Sequence, residues 1–438
     1  MKKFFLAAFA VTSMALCATA QQADKAKLDA YFDALEKNDK FMGNVLLVKD
    51  GKPLYQRSTG FADVESGRRL TADSRFRIGS ITKTYTAALV MKAIEEGKLK
   101  GDDRLSKFFP QVPNADKITI NHMLAHRSGI HNFTDDREYS DYNTGAKTRP
   151  EMVSLIASAK SDFEPDSKAD YSNSNFVLLS FILEDVYKKP YAEILSQKIL
   201  KPLKLDNTYF GGKYDPKAHE ALSYRYLGKW EKQNMTDMSI PMGAGAIVSS
   251  LGDLARFYEA LFEGKIVSKA SLDKMKDIRE GYGLGLMQFP FGDKRSYGHT
   301  GGIDGFRSII SHFEDENLTF AMSGNGVNYN ANEIGLAVLG WYFGKPFEVP
   351  DFKTFAHDPA ELDKMAGSYA SPQIPIGITV TREGSTLMAQ GTGQPAFPLE
   401  AVSKNTFKFD PARLEMIFYP EKGEMTLKQG GEFLFKKQ

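Results

Sequence analysis

Leu28, Tyr31, Phe32 and Leu35 recur at helical spacing within a charge-rich segment, a pattern that predicts an amphipathic first helix. Two strands over 44–48 and 54–58 follow, flanking the hairpin-turn dipeptide Asp50-Gly51, with Pro53 just before the second strand. Further along, 296–302, 306–313 and 318–323 read as strands joined by short Gly/Asp turns, while the chain between is largely helical. Strands near both ends with helices between them predict an antiparallel sheet closed by segments from each terminus, plus a helical lobe inserted in sequence, an α/β (α+β) domain over 21–345. Gly344-Lys345-Pro346, Pro350 and Asp358-Pro359 then punctuate a stretch without period, expected to be a linker over 346–359. From 360 to 438, β-prone runs at 376–381, 386–390, 406–409, 414–419 and 425–429 alternate with turns at Glu383-Gly384, Lys422-Gly423 and Gly430-Gly431. That rhythm predicts a small all-β barrel or sandwich.

Residues 1–20 stand apart from this pattern. Lys2 and Lys3 precede an apolar stretch from Phe4 to about Cys17, and Ala18-Thr19-Ala20 supplies a small-x-small ending. The stretch reads as a signal peptide cleaved before Gln21, so the expectation is an exported chain, periplasmic or extracellular. A lipid anchor on Cys17 is disfavoured by the bulky Leu16 before it. Cys17 is the only cysteine, so removal of the signal removes disulfides, thiol nucleophiles and thiolate metal sites together. Beyond it no apolar run approaches the roughly 20 residues of a spanning helix, and no stable membrane insertion is expected.

The 438 residues are 42% hydrophobic and 25% charged, ordinary globular values. Lys and Arg total 56 against 55 Asp and Glu, and no Lys/Arg run exceeds two residues. Nothing in that balance suits a nucleic-acid partner.

Candidate chemistry lies in three places. Arg77-Ile78-Gly79-Ser80-Ile81-Thr82-Lys83 leads into a helical run with Ala87, Ala88, Leu89, Met91 and Ile94, which Gly97 closes. Ser80 then sits on the first turn, with the Lys83 amine on the same face and within reach of its hydroxyl. A neighbouring amine can take the serine's proton or hold a base in place, and the helix N-terminus suits a developing oxyanion. Ser-x-x-Lys alone decides little, because Ser271-Leu272-Asp273-Lys274 repeats it where the serine reads as a plain N-cap. The second place is Asp170-Tyr171-Ser172-Asn173-Ser174-Asn175, before an apolar helix over 176–186. Tyr171 could serve as base or proton relay if nearby cations stabilise its phenolate, and Asn173 could orient the lysine and a substrate carbonyl; taken alone the segment reads equally as a capping turn. The third is Gly298-His299-Thr300-Gly301-Gly302, a strand of small residues that a substrate backbone could approach closely. There Thr300 could donate to a substrate carboxylate, His299 could add charge when protonated, and the Gly302 N–H could join that of Ser80 as an oxyanion donor.

Taken in order, Ser80-Ile81-Thr82-Lys83, Tyr171-Ser172-Asn173 and His299-Thr300-Gly301 resemble the motifs of the serine β-lactamase and penicillin-binding-protein family, in the branch holding class C β-lactamases, D-Ala-D-Ala carboxypeptidases and related esterases. Met123 to Ile130, Pro202-Leu203 with Asn207-Thr208, and Gly243-Ala244-Gly245 leading to Ser249, Asp253 and Leu254 match the same branch, so the resemblance covers roughly 27–345. It implies a β-lactamase/transpeptidase-like fold in which Ser80 is acylated, Lys83 and Tyr171 handle its proton, Asn173, His299, Thr300 and Gly301 bind substrate, and the Ser80 and Gly302 amides form the oxyanion hole. Tyr171 would then activate the hydrolytic water. Where many β-lactamases carry lysine this chain has His299, which with an ordinary pKa of about 6.5 would be only partly charged and a weaker carboxylate anchor. The expected activity is therefore a D-amino-acid peptidase, carboxypeptidase or esterase acting on a small peptide, ester or β-lactam, with peptidoglycan fragments as partners. The alternatives are a β-lactamase and a non-catalytic peptidoglycan-binding or scaffold member. Residues 360–438 resemble the lipocalin-like accessory domains of some exported members, which could restrict the cleft or bind a partner; the Gly391-Thr392-Gly393-Gln394 loop reads as a turn.

No cofactor or metal is expected. His122, His126 and His131 cluster without a His-Glu-x-x-His pattern and read as structural hydrogen-bonding groups. Ser128 and Ser323 lie beside glycine but in no Gly-x-Ser-x-Gly elbow, and Gly281, Gly283 and Gly285 do not match a dinucleotide fingerprint.

Overall fold

A computed structural model describes residues 25–438. The signal peptide expected over 1–20, Cys17 included, lies outside the described residues. The described residues form two compact units, one of Met42–Tyr224 and Lys232–Gly326, the other of 25–41 with Arg225–Glu231 and Val327–Gln438.

The first unit is built on a six-stranded sheet in the spatial order Met287–Phe291, Lys294–Ile303, Phe306–Phe313, Leu318–Val327, Phe41–Lys49, Lys52–Thr59. Strands from the two ends of the unit meet at its centre, as the hydrophobic pattern implies. Asp50 and Gly51 both take positive φ (51° and 72°), the backbone a two-residue hairpin turn requires. Pro53 lies within the second strand rather than before it, opposite Val48 beside a register shift. That strand is a sheet edge, where a residue without an N–H is tolerated. The opposite edge strand, Met287–Phe291, escapes a pattern reading because Pro290 interrupts it. Its pairing stops at Gly298, so residues 299–303 have no strand partner on that side among the described residues.

Helices fill the middle of the unit. Thr82–Glu95 is buried at every position from Thr82 to Met91, and Asn173–Tyr187 from Ser174 to Leu183. Helices without a polar face belong inside a core. Gly97, at φ 68°, closes the first of them as its sequence suggests. A three-stranded sheet of Phe76–Arg77, Ile247–Ser249 and Thr208–Phe210, too short to show a period, holds the turn before that helix: Ile78 N donates to Ile247 O at 3.0 Å.

In the second unit a helix over 25–37 buries Leu28, Tyr31, Phe32 and Leu35, the four positions its pattern assigns. Eight strands from Gly367–Ala370 to Glu432–Lys437 close into a barrel. Its inside holds alternate residues such as Val380, Leu387, Ala389, Phe407, Met416, Phe418, Met425 and Phe435. Gly384, Gly423 and Gly430 turn between strands with φ near 61° to 63°. Asp358-Pro359, expected to punctuate a linker, instead starts the helix Pro359–Met365, with the Asp358 side chain accepting from Ala360 N. Lys40, nearly inaccessible, is clamped by Glu400 at 2.5 Å and Asp410 at 2.8 Å.

Close packing of glycine backbones joins the catalytic segments. A Cβ on Gly301 would lie 2.0 Å from Ile78 O, whereas one on Gly302 would meet nothing nearer than 3.6 Å. Gly301→Ala should therefore cost about 2 to 3 kcal/mol, read as a lowered Tm or denaturation midpoint, and Gly302→Ala much less; equal losses would show that this contact does not constrain the fold.

Candidate active site

Ser80 occupies a 3₁₀ turn, Gly79–Ile81, that runs directly into the helix Thr82–Glu95. Gly79 there has φ 53°, and a Cβ on it would come within 2.9 Å of Gly302 N, so glycine lets the serine turn lie against the strand. One helical turn on, Lys83 Nζ lies 3.0 Å from Ser80 Oγ, 2.7 Å from Asn173 Oδ1 and 2.8 Å from Ala244 O. The side chain has no solvent exposure, and burial pushes its pKa well below the usual lysine value. A neutral amine has two N–H donors and one lone pair. Asn173 Oδ1 and Ala244 O can only accept, so each takes a hydrogen from the amine, and in the neutral form that burial favours the lone pair would face the serine hydroxyl.

Asn173, the first residue of its helix, is locked in orientation. Its Nδ2 donates to Asn132 Oδ1 at 3.2 Å and to Thr134 Oγ1 at 3.0 Å, and its backbone N donates to Asn132 Oδ1 at 2.9 Å. Tyr171 lies beside Ser80 and under Lys83, whose Nζ is 4.8 Å from the ring centroid. Burial raises the Tyr171 pKa against the smaller opposing effect of the Ser80 side chain. Burial thus favours the protonated phenol in the free enzyme. His126 stacks on Tyr171 at 4.4 Å between centroids and accepts Ser172 N–H at Nδ1, 3.1 Å away, fixing the turn that carries the tyrosine.

On the strand Lys294–Ile303, the two-residue turn Asp304-Gly305 pairs Ile303 with Phe306, and Gly302 with Arg307. Antiparallel alternation makes the first a hydrogen-bonded pair, so the Gly302 N–H points the other way, to the open edge. Gly302 and Ser80 share a cavity of about 480 Å³ with Asn173, Ala244, Asp304 and Arg307. Gly301 is buried against Ile78 O, and Thr300 is exposed on the strand. His299 departs from its expected role as a cation. Its ring is buried, Nδ1 lies 2.5 Å from Thr300 O, and burial, then nearby Lys83, push its pKa down to about 3. At neutral pH it is an uncharged packing group that cannot anchor a carboxylate by charge.

The competing Ser-x-x-Lys separates cleanly. Ser268, not Ser271, caps the helix Lys269–Met275, while the Ser271 hydroxyl donates to Glu95 at 2.5 Å and takes no hydrogen bond from a lysine among the described residues. Asn132 and Thr134 were not foreseeable as site residues: their only signal is following the family segment that ends at Ile130. Ala244 lies within a segment already matched to the family, but contributes a carbonyl, which no side-chain motif reveals. His122 forms a capping box with Thr119, and His131 bridges Asp162 at 2.9 Å and Asp136 at 3.1 Å.

A serine hydroxyl hydrogen-bonded to a buried amine, at a cavity it shares with Gly302, is the arrangement of a serine hydrolase. Residues 28–341 match the Beta-lactamase family, and the chain belongs to it. It is 26% identical over 429 residues to a penicillin-binding protein of Bacillus subtilis, covering 91% of this chain and 94% of that one. It is 27% identical over 280 residues to the teichoic acid D-alanine hydrolase of Staphylococcus aureus, covering 62% and 64% respectively. The crystal structure of D-amino acid amidase from Ochrobactrum anthropi superposes with a TM-score of 0.63 at 25% identity, over 72% of this chain and 98% of the amidase.

Two titrations follow. An unfolded imidazole takes up its proton near pH 6.5, whereas His299 resists it until about 3, so its contribution to stability is present above about pH 6.5 and lost on acidification. Histidine NMR should find His299 neutral at about pH 5; a protonated ring there would refute its placement. His131 runs oppositely. Partial burial lowers its pKa, but hydrogen bonds and charge from Asp162 and Asp136 outweigh this and raise it. Its stabilisation holds below about pH 6.5 and fades as pH rises through the native value, so His131→Asn should destabilise more at about pH 5.5 than at about pH 8.5 in urea unfolding.

Proposed function

We propose that the protein hydrolyses amide or ester bonds adjoining a D-amino acid through an acyl-enzyme on Ser80. The observation that carries this is the buried Lys83 amine, held by Asn173 and Ala244 with its Nζ 3.0 Å from Ser80 Oγ. Ser80 Oγ attacks the substrate carbonyl carbon while its proton passes to Lys83 Nζ, and the resulting oxyanion takes hydrogen bonds from the Ser80 and Gly302 amides. Tyr171, protonated beside Ser80, gives its proton to the leaving nitrogen or oxygen as the tetrahedral intermediate collapses and regains one from protonated Lys83, which is thereby free to accept the next. Water then attacks the acyl carbon, with Lys83 receiving its proton through the same network, and Ser80 is released. The D-amino-acid assignment is supported by similarity to the D-amino acid amidase and the teichoic acid D-alanine hydrolase. The N-terminal pattern supports export, which puts cell-envelope D-alanyl groups and peptidoglycan fragments within reach.

The test uses D- and L-alanyl p-nitroanilides and esters, together with a fluorescent penicillin. The protein should prefer the D substrates, and Ser80→Ala or Lys83→Met should lower kcat by about 10³-fold or more. Preference for L substrates would remove the D-amino-acid assignment, and turnover surviving Ser80→Ala would remove the nucleophile. Covalent labelling by penicillin with rapid release would instead favour a β-lactamase.

A further inference from the structure

His299 and Lys83 are both buried and neither lines the cavity, where Arg307 is the one Lys or Arg side chain among the described residues. The geometry points to Arg307 as the residue that selects an anionic group on the substrate, within reach of the oxyanion site; this rests on the acyl-enzyme reading above and specifies its substrate.

Arg307 is the cross-strand partner of Gly302 in a non-hydrogen-bonded pair, the closer of the two antiparallel spacings. Because Gly302 has no side chain, the arginine folds across its open face, with Nη1 only 3.6 Å from where a Cβ would stand. Arg307 is exposed and lines the same cavity as Ser80. Its Nη1 donates to Phe306 O at 2.7 Å and Asp304 O at 3.2 Å, which fixes the guanidinium while Nη2 and Nε keep no hydrogen-bond partner among the described residues. Arg307 also forms no ion pair there, although a carboxylate is its neighbour in sequence terms. Asp304 is spent elsewhere: Oδ1 accepts from Thr236 N at 3.1 Å and Thr236 Oγ1 at 2.7 Å, and Oδ2 pairs at 3.3 Å with Arg77, whose side chain is nearly inaccessible. An anchored guanidinium with a free edge beside a reacting carbonyl suits a carboxylate or phosphate, which it can bind through two parallel N–H donors.

Two sources share this chemistry, a peptide's terminal carboxylate and a phosphate on a polyol. Three D-alanyl esters separate them: of glycolate, of glycerol phosphate, and of neutral ethylene glycol. Wild-type kcat/KM should favour at least one anionic ester over the neutral one by about 10-fold or more, mainly through KM. Arg307→Gln should collapse that ratio toward one, and Arg307→Lys should restore part of it, with Tm confirming that both variants fold. Preference for glycolate alone identifies the carboxylate source, for glycerol phosphate alone the phosphate source, and for both the shared chemistry. A wild-type ratio near one, or an Arg307→Gln loss equal on charged and neutral esters, overturns the assignment. Failure of the underlying reading looks different: no D-alanyl ester, charged or neutral, would then be turned over in a Ser80-dependent way.

Discussion

The structure turns on the desolvation of one amine. A lysine side chain closed off from water is tolerated as the neutral base, and then only if each of its polar positions is met by protein. Lys83 meets this condition with contributions from three segments far apart in sequence: the serine a turn before it, the amide of Asn173 and the carbonyl of Ala244. The remaining architecture brings those three together. The helices Thr82–Glu95 and Asn173–Tyr187 are apolar enough to sit side by side in the core, and the Gly243-Ala244-Gly245 turn fits between them because a Cβ on Gly243 would meet Ser180 Cβ at 2.7 Å and Phe176 O at 2.8 Å. Placement of the base is thus a packing result as much as an electrostatic one.

What could be read in the sequence follows the range of each interaction. The amphipathic first helix, the Asp50-Gly51 hairpin, the sheet strands 294–327 and most barrel strands carry their period or turn residues locally, and all are present. Ser80 and Lys83 were visible because helical spacing alone makes them neighbours. The strand Met287–Phe291 was hidden by Pro290, and the three short strands that hold the serine turn are below the length at which alternation shows. Strands at 367–370 and 432–437 close the barrel by pairing with each other across the whole unit, information no local window contains.

The site was less legible for a related reason: motifs name side chains, but protonation depends on what surrounds them. Histidine at position 299 suggests a titrating cation, yet its buried ring makes it neutral. Tyrosine at 171 suggests a base, yet burial keeps its proton on. Asn132 and Thr134 fix the Asn173 amide from across a loop, and nothing in their local sequence sets them apart from other polar loop residues.

These protonation states have a common logic. A second buried cation beside Lys83 would repel any proton that the lysine takes up, lowering its basicity in the step where it must act. Keeping His299 neutral avoids that penalty. Arg307 lies outside the enclosure around that amine, at the exposed rim of the cavity, where its guanidinium can form direct hydrogen bonds with a substrate anion. The division separates proton transfer, which needs a dry and uncharged interior, from charge recognition, which works at the rim. It also explains the heavily bonded Asp304: left free, that carboxylate would neutralise Arg307 at the very edge where the guanidinium must stay open, and Arg77 with Thr236 hold it out of the way.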